Sequence, residues 1–311
     1  MAGNAQSLGV AALLGVLAVA AAERRRPRRE RGLVTLADRA LAARPAPVVQ
    51  SASRQINWAA ALLALAALTD SGVEHYRGSF HNKTMFVPLG VSALALAASL
   101  RDACGPPTPQ RRESDAVDAL ALATGVIGTG FHFYNIAKRP GGFSWLNLFY
   151  AAPLGAPAAL SLSGLLRRAA TWVKGGAAIF GVLPGKLLAW LVSIGLLGTS
   201  AEAGLLHFRG AYHNPAMVIP ITAPPIAAGL LMQAAAMPGQ QHPITRWALR
   251  LLAGIGMLGA AFHAYGIQRN MGGWRNWSQN LLSGPPLPAP PSFTALAIAG
   301  LAALSLVERR R

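Results

Sequence analysis

The sequence predicts an all-α polytopic membrane protein, and three observations lead to that prediction. Hydrophobic residues make up 53% of the 311-residue chain. Charged residues make up only 13%, about half of the roughly 25% typical of a soluble domain. Apolar runs such as 56–73 and 186–206 approach or reach the roughly 20 residues that cross a bilayer. A soluble α/β enzyme, a disulfide-stapled domain and a disordered tail are therefore excluded.

The basic charge of the chain fits the same class. A net charge of +17 would suggest a nucleic-acid partner in a soluble protein. Here the Lys and Arg residues stand between the apolar runs and do not alternate with aromatic residues. We therefore expect the partner of this charge to be the lipid bilayer with its anionic head groups, and no nucleic acid.

An internal repeat organises the apolar runs. The segment HYRGSFHNKTMFVP at 75–88 recurs as HFRGAYHNPAMVIP at 207–220, and GVIGTGFHFY at 125–134 recurs as GMLGAAFHAY at 256–265. The two repeated segments occur in the same order and are displaced by almost the same number of residues, 132 and 131. This pattern predicts a tandem duplication of a four-helix transmembrane unit. The predicted spans are 56–73, 85–100, 116–137 and 146–166 in the first unit, and 186–206, 217–236, 246–267 and 285–307 in the second.

The remaining segments complete the predicted organisation. Residues 1–31 are expected to form an N-terminal apolar anchor helix and a basic cytoplasmic cluster. A secretory signal carries its positive charge before the apolar core, not after it, so a cleaved signal peptide is the alternative. Residues 32–55 follow as a cytoplasmic segment, 56–170 as the first repeat, 171–185 as a linker and 186–311 as the second repeat.

The distribution of Lys and Arg predicts the orientation. If the cluster at 24–31 lies in the cytoplasm, 21 of the 28 basic residues fall on that side, as the positive-inside rule requires. The N-terminus is then outside and the C-terminus in the cytoplasm. Four spans per unit is an even number, so the 4+4 arrangement consists of parallel repeats. Richness in Ala, Arg and Pro is typical of a high-GC bacterium, and the expected location is the bacterial inner membrane.

This topology brings six of the seven histidines to the outer membrane surface, three from each repeat. Ionisable residues in or near a span usually have a partner or a task. The candidate site residues are Asp70, His75, Arg77, His81, Met85 and His132, with the counterparts Glu202, His207, Arg209, His213, Met217 and His263. The alternative is a structural cluster in which these side chains tie loop to helix by hydrogen bonds. The first repeat also carries Glu74, where the second has Leu206, so one copy of the site is expected to hold the fuller chemistry.

Haem b is the first candidate cofactor. Neutral imidazoles ligate haem iron axially, and Arg77 or Arg209 would pair with the propionates. The predicted cofactor-binding residues are therefore the six histidines and these two arginines. The implied function is a redox subunit that passes electrons between a periplasmic partner, a dehydrogenase or cytochrome, and quinone.

Two other functions stay open. A copper, iron or zinc centre would use the same six histidines with Asp70, Glu202, Met85 and Met217, since thioethers favour Cu(I); the protein would then be a metal-dependent enzyme or a metal handler. A transporter with duplicated halves is the third hypothesis. It fits less well, because transporter sites tend to lie near the bilayer midplane, where this chain is almost entirely Ala, Leu, Gly and Val.

Prolines and glycines predict the shape of the site. Pro153 and Pro157, and the prolines of 285–291, stand where the fourth spans begin. Irregular backbone at membrane depth is tolerated where it lines a watery cavity, so we expect an outward-facing vestibule there. The spacings Gly125/Gly128 and Gly256/Gly259 predict close packing of the third helices.

Overall fold

A computed structural model of the protein describes residues 46–106, 112–176 and 181–309. This part of the chain is helical and contains no strand, which confirms the predicted all-α class. The anchor helix predicted within residues 1–31 lies outside the described residues. We call residues 46–176 the first half and residues 181–309 the second half.

The two halves contain helices in the same order. In the first half these are α1 (Pro47–Arg77), α2 (Val87–Cys104), α3 (Arg112–Ala137), the short α4 (Trp145–Phe149) and α5 (Gly155–Gly175). In the second half they are α6 (Pro184–Arg209), α7 (Ile219–Ala236), α8 (Pro243–Arg269), the short α9 (Trp277–Ser283) and α10 (Pro291–Val307). Single 3₁₀ turns precede α2, α7 and α9, at Lys83–Phe86, Pro215–Val218 and Gly273–Asn276.

Six helical segments in the described part of the chain are long and apolar enough to cross a membrane, as in a multi-pass membrane protein. They are Pro47–Arg77, Lys83–Cys104, Ser114–Ala137, Pro184–Arg209, Pro215–Ala236 and Pro243–Arg269. Helices α5 and α10 are not among them, and α10 is apolar but only 17 residues long.

Helices α5 and α10 instead form the centre of the molecule. Helix α5 packs against α1 and α3, and α10 packs against α8, α6 and α1. Small side chains allow these close approaches: Gly125 on α3 lies so near α5 that a Cβ would stand 2.2 Å from the Ser161 hydroxyl. Gly256 on α8 meets Thr294 of α10 in the same way, at 2.4 Å. The close packing predicted from these glycines is confirmed, and its partner is the fourth long helix of each half.

Several helices begin at places other than those predicted. Helix α1 starts at Pro47, not near residue 56, because proline is well suited to the first turn of a helix. The fourth spans start at Gly155 and Pro291, after the short helices α4 and α9. Proline disfavours the helical conformation of the residue before it, so the proline-containing segments 150–154 and 284–290 stay irregular.

The loops that precede the fourth helices have matching geometry. Asn147 donates its side-chain amide to the carbonyl oxygens of Pro140 and Gly142, at 2.9 and 2.7 Å. Asn280 donates likewise to Met271 and Gly273, at 3.2 and 2.8 Å. Each loop turns through a Gly-Gly pair with positive φ: 86° and 55° at 141–142, and 81° and 52° at 272–273.

A buried ionic network occurs in the first half, at the end of the bundle opposite these loops. Arg167 donates to Asp118 at 2.6 Å and to Asp102 at 3.2 Å, and the Arg167 and Asp118 side chains are 2% and 4% exposed. The aligned positions in the second half are apolar. There Gly300 packs against Leu249 and Leu231, with a Cβ at residue 300 predicted to meet the Leu249 side chain at 2.9 Å. The same helix junction is therefore held by ion pairs in one half and by apolar packing in the other.

Candidate functional site

A large cleft lies between the two halves, with a volume of about 2640 Å³. It reaches the last residues of α1, α3, α6 and α8, which are Arg77, Ala137, Arg209 and Arg269, and we call this end of the bundle the site end. Most of its lining is apolar and includes the aromatic side chains Phe131, Phe133, Tyr134, Phe149, Phe262 and Tyr265. Its ionisable lining residues are Asp70, Glu74, Arg77, Glu202, His207, Arg209, His213, His263 and Arg269. Residues of both halves line this cleft, and that it faces outward, as expected of the vestibule, stays a prediction.

Side-chain hydrogen bonds of His75 and His81 fix the loop that follows α1. We call this loop, and its counterpart after α6, the HxRG loop, after the sequence His-x-Arg-Gly at 75–78 and 207–210. A backbone carbonyl can only accept, so His75 donates its Nδ1–H to the Met85 carbonyl oxygen at 2.7 Å, and His81 donates to that of Gly78 at 3.1 Å. The Met85 methyl packs over Gly78, where a Cβ would come within 3.3 Å of it. These contacts fix a turn in which Ser79 and Phe80 both have positive φ, at 56° and 45°.

The loop after α6 repeats these contacts. His207 donates to the Met217 carbonyl oxygen at 2.9 Å, and His213 donates to that of Gly210 at 3.1 Å. A Cβ on Gly210 would come within 3.1 Å of the Met217 methyl. The backbone at 211–212 has φ values of 55° and 46°. The paired histidines, glycines and methionines therefore have a structural role in both loops.

The third histidine of each half anchors the start of its fourth long helix. His132 on α3 donates its Nδ1–H to the Pro153 carbonyl oxygen, and His263 on α8 donates to that of Pro286, both at 2.7 Å. His132 interacts electrostatically with His75, and His263 with His207. Because Nδ1 carries the proton in each ring, Nε2 of each is left with its lone pair.

Arg77 and Arg209, the arginines of the two HxRG loops, form hydrogen bonds between the halves. Arg77 bonds the Leu282 carbonyl oxygen at the end of α9, and it also pairs with Glu74 at 3.0 Å. Arg209 donates to the Phe149 carbonyl oxygen at the end of α4, at 3.1 Å. Each arginine therefore reaches the short helix of the opposite half.

The two aligned acidic residues differ in their partners. Glu202 on α6 accepts the backbone N–H of Gly155 at the first turn of α5, at 2.7 Å. A Cβ on Gly155 would lie 2.0 Å from Glu202 Oε2, so this contact requires glycine. Asp70 on α1 has no hydrogen bond or ion pair within the described part of the chain. It interacts electrostatically with Glu74, Glu202 and Arg77.

The predicted metal ligands do not form one group. The described residues contain no set of three or more His, Cys, Asp or Glu side chains placed to hold a metal ion. His207, His213 and His263 line the cleft together with Asp70 and Glu202, whereas His75, His81 and His132 are absent from its lining. The methyl groups of Met85 and Met217 pack on the loop glycines.

Sequence reasoning did not single out several residues that build the cleft. Gly155 is the first residue of α5, and its aligned residue Pro288 stands three residues before α10. Extending the repeat alignment through Pro153 and Pro286 would have paired them. Phe149 and Leu282, whose carbonyls receive the arginines, are also a matched pair. The contacts join residues 60 and 205 positions apart in sequence, which no local pattern indicates.

Comparison with protein-family models, with curated proteins and with solved structures finds no match to this chain. The function therefore has to be inferred from the geometry of the cleft.

Proposed function

We propose that this chain is a bacterial inner-membrane protein, built from a duplicated four-helix unit, that binds an amphiphilic molecule in the cleft between its halves. The polar group of that molecule lies at the site end, among the acidic, basic and histidine side chains. Its apolar body lies against the aromatic and aliphatic walls. The N-terminus is outside and the C-terminus in the cytoplasm, so the cleft opens toward the periplasm.

The duplication is supported by contacts that the two halves share. Both HxRG loops, both histidine–proline contacts, both asparagine anchors and both arginine bonds occur at aligned positions. Independent evolution of so many matched side-chain contacts is a poor explanation, whereas duplication of one unit accounts for all of them.

One observation carries the binding proposal: a cavity of about 2640 Å³ has apolar walls along most of its length and ionisable groups at one end. Ligand sites are concave and mostly apolar, with a few polar groups that fix orientation, and they occupy roughly 300–1,000 Å³. This cleft exceeds that range, which suits a long, membrane-borne molecule better than a small water-soluble one.

Native mass spectrometry of the detergent-purified protein tests this proposal. Gly198 lines the cleft, and a Cβ at this position meets no atom within 4 Å, so the side chain of Gly198→Phe is expected to occupy cleft volume. Gly229 on α7 also has open space and lies outside the cleft lining, so Gly229→Phe is the matched control. We expect the wild-type protein and the control to retain a bound amphiphile after annular lipid has been stripped, and Gly198→Phe to lose it. Equal retention in all three proteins would contradict the proposal.

A second candidate function is the membrane redox subunit holding haem b. The observation that favours it is the orientation of His75, His132, His207 and His263, each of which donates Nδ1–H to a backbone carbonyl. Metal-ligating histidines use this arrangement, because the second nitrogen is then fixed for ligation. In this reading the periplasmic partner supplies electrons and quinone accepts them.

Absorption spectra of the purified protein, oxidised and then reduced, test this second candidate. A Soret band that sharpens and shifts on reduction would support haem, and metal analysis of the same sample would identify copper, iron or zinc. For this test the protein is expressed with haem and metals supplied. If the purified protein then contains neither haem nor metal, the redox candidate is excluded and the amphiphile proposal is unaffected.

A further inference from the structure

We infer that Asp70 selects the cargo of the cleft and that the cargo is a lipophilic cation, such as a protonated amine attached to an apolar body. This inference rests on the proposed amphiphile-binding function and names the chemical class of its ligand.

Three carboxylates of the described residues line the cleft, and two of them have a hydrogen-bond or ion-pair partner within the protein. Glu74 forms an ion pair with Arg77 at 3.0 Å. Glu202 accepts the N–H of Gly155 at 2.7 Å, at a helix N-terminus that favours negative charge. Asp70 has neither kind of partner in the part of the chain that the structure describes.

The repeat explains why Asp70 lacks a partner. Asp70 aligns with Glu202, and the residue that aligns with Gly155 is Pro288. Proline has no backbone N–H, so position 288, three residues before α10, lacks the donor that Gly155 supplies to Glu202. The aspartate side chain is also one methylene shorter than glutamate. Both halves therefore have an acidic residue at this aligned position, but of the two only the Glu202 carboxylate forms a hydrogen bond to the other half.

The surroundings of Asp70 favour a cation. Among the described residues, Glu74, Glu202 and Arg77 interact electrostatically with it, so two of these three neighbours are acidic. Asp70 stands seven residues, about two helical turns, before Arg77 on α1, and Glu202 stands equally far before Arg209 on α6. The acidic residues therefore lie deeper in the cleft than the arginines. A carboxylate at that depth is costly unless it is paired, and a bound cation is the partner that supplies this pairing.

The walls of the cleft suit the apolar body of such a ligand. Aromatic side chains from both halves line it, among them Phe131 of α3 and Phe262 of α8. Aromatic faces attract cations as well as apolar surface. The arginines at the rim are occupied: Arg209 lies over the Tyr150 ring at 5.6 Å and Arg269 over that of Tyr265 at 5.9 Å. The deeper part of the cleft is left with the unpaired carboxylate.

Tetraphenylphosphonium and tetraphenylborate provide the test, because they have nearly the same shape and opposite charge. Binding of each is measured by equilibrium dialysis against the purified full-length protein in detergent, with protein-free micelles as the blank. We expect saturable binding of tetraphenylphosphonium that exceeds that of tetraphenylborate. Asp70→Asn should weaken cation binding roughly thirtyfold or more, the usual effect of removing one partner of a buried charge pair. Asp70→Glu should retain much of it, and Glu202→Gln should weaken it less than Asp70→Asn does.

The possible failures are distinguishable. Equal binding of the two ions, or cation binding that survives Asp70→Asn but is lost in Gly198→Phe, would overturn the role of Asp70 and leave the amphiphile site standing. If neither ion binds saturably and no amphiphile is retained by the wild-type protein, the proposed function itself fails. Thermal unfolding of Asp70→Asn, compared with Asp70→Glu, separates loss of binding from loss of folding.

Discussion

The carboxylate of Glu202 accepts the backbone N–H of Gly155 at 2.7 Å, and this hydrogen bond joins α6 of the second half to the start of α5 in the first. The aligned carboxylate, Asp70, has no corresponding donor, because Pro288 stands where Gly155 would be. Two boundaries that share their arginine contacts therefore differ at this hydrogen bond. The difference leaves an unpaired acid in the cleft that the halves enclose.

Gly155→Ala tests the contact directly. The added Cβ would lie 2.0 Å from Glu202 Oε2, so either the carboxylate or the start of α5 must move. Overpacking of this kind typically costs about 1–3 kcal/mol, and we expect a lower unfolding temperature in detergent. Gly175→Ala, on the same helix with open space around its Cβ position, is the control. Equal unfolding temperatures for the two variants would show that Glu202 does not hold this boundary.

Glycines at the contacts between α3 and α5 and between α8 and α10 give a second test. Gly125→Ala would place a Cβ 2.2 Å from the Ser161 hydroxyl, and Gly256→Ala would place one 2.4 Å from that of Thr294. Each should destabilise the protein by about 1–3 kcal/mol. The controls Gly130→Ala and Gly254→Ala meet nothing within 4 Å and should be neutral or slightly stabilising, since alanine favours the helix. Destabilisation by the controls as well would contradict the packing.

Two substitutions of His263 distinguish a structural role of this side chain from a role as a metal or haem ligand. His263→Ala leaves the Pro286 carbonyl without its donor, and an unsatisfied polar group costs about 1–3 kcal/mol. His263→Asn places an amide N–H near the position of Nδ1 but offers no second nitrogen. We expect Asn to restore most of the thermal stability. Any haem or metal bound through Nε2 would be lost in both variants. Intact cofactor binding in His263→Asn would exclude His263 as a ligand.

The buried ionic network can be exchanged for its apolar counterpart. Arg167→Met alone leaves the buried Asp118 without its ion-pair partner, whereas Asp102 keeps its ion pair with Arg101 at 3.0 Å. Breaking a buried pair costs about 3–5 kcal/mol. The triple variant Arg167→Met, Asp118→Leu and Asp102→Ala resembles the second half, where Leu249 and Ala234 align with the two aspartates. Thermal unfolding should show that the triple variant regains most of the lost stability. A triple variant less stable than Arg167→Met would refute the equivalence of the two junctions.

Cysteine labelling tests the orientation. Ser79→Cys and Ala211→Cys, each in a Cys104→Ser background, should react with a membrane-impermeant maleimide added to intact spheroplasts. Both residues lie in exposed turns after α1 and α6. The native Cys104, exposed at the end of α2, should react only after the membrane is permeabilised. Labelling of Cys104 but not of the two loop cysteines would reverse the predicted topology.

Much of the fold follows from the sequence because it depends on local patterns. Apolar runs predicted the helical membrane class, and the glycine spacings predicted close packing that Gly125 and Gly256 confirm. The boundaries of the fourth helices were missed, because apolar composition continues through residues 146–154 while the prolines keep the backbone irregular. Hydropathy is insensitive to this change in backbone conformation. The positions of the prolines indicate it, because proline disfavours the helical conformation of the residue before it.

The site was predicted less completely, because its contacts are long-range. The paired histidines, arginines and methionines were identified as a set, yet their partners are main-chain carbonyls that carry no sequence signal. Arg77 and Arg209 were assigned to propionates from the chemistry of the guanidinium group alone, whereas each bonds the short helix of the other half. The structural alternative stated for the histidines describes their loop contacts well.

The central claim is that one amphiphile occupies the cleft, and photocrosslinking in living cells tests it most directly. The photoreactive residue p-benzoylphenylalanine is placed at position 198, which lines the cleft, and separately at position 229, which does not. We predict that irradiation at position 198 captures an adduct of a single mass or one homologous series, whereas position 229 captures the mixture of bulk phospholipids. The same phospholipid mixture at both positions would mean that the cleft is an ordinary lipid-facing surface, and the account would be wrong.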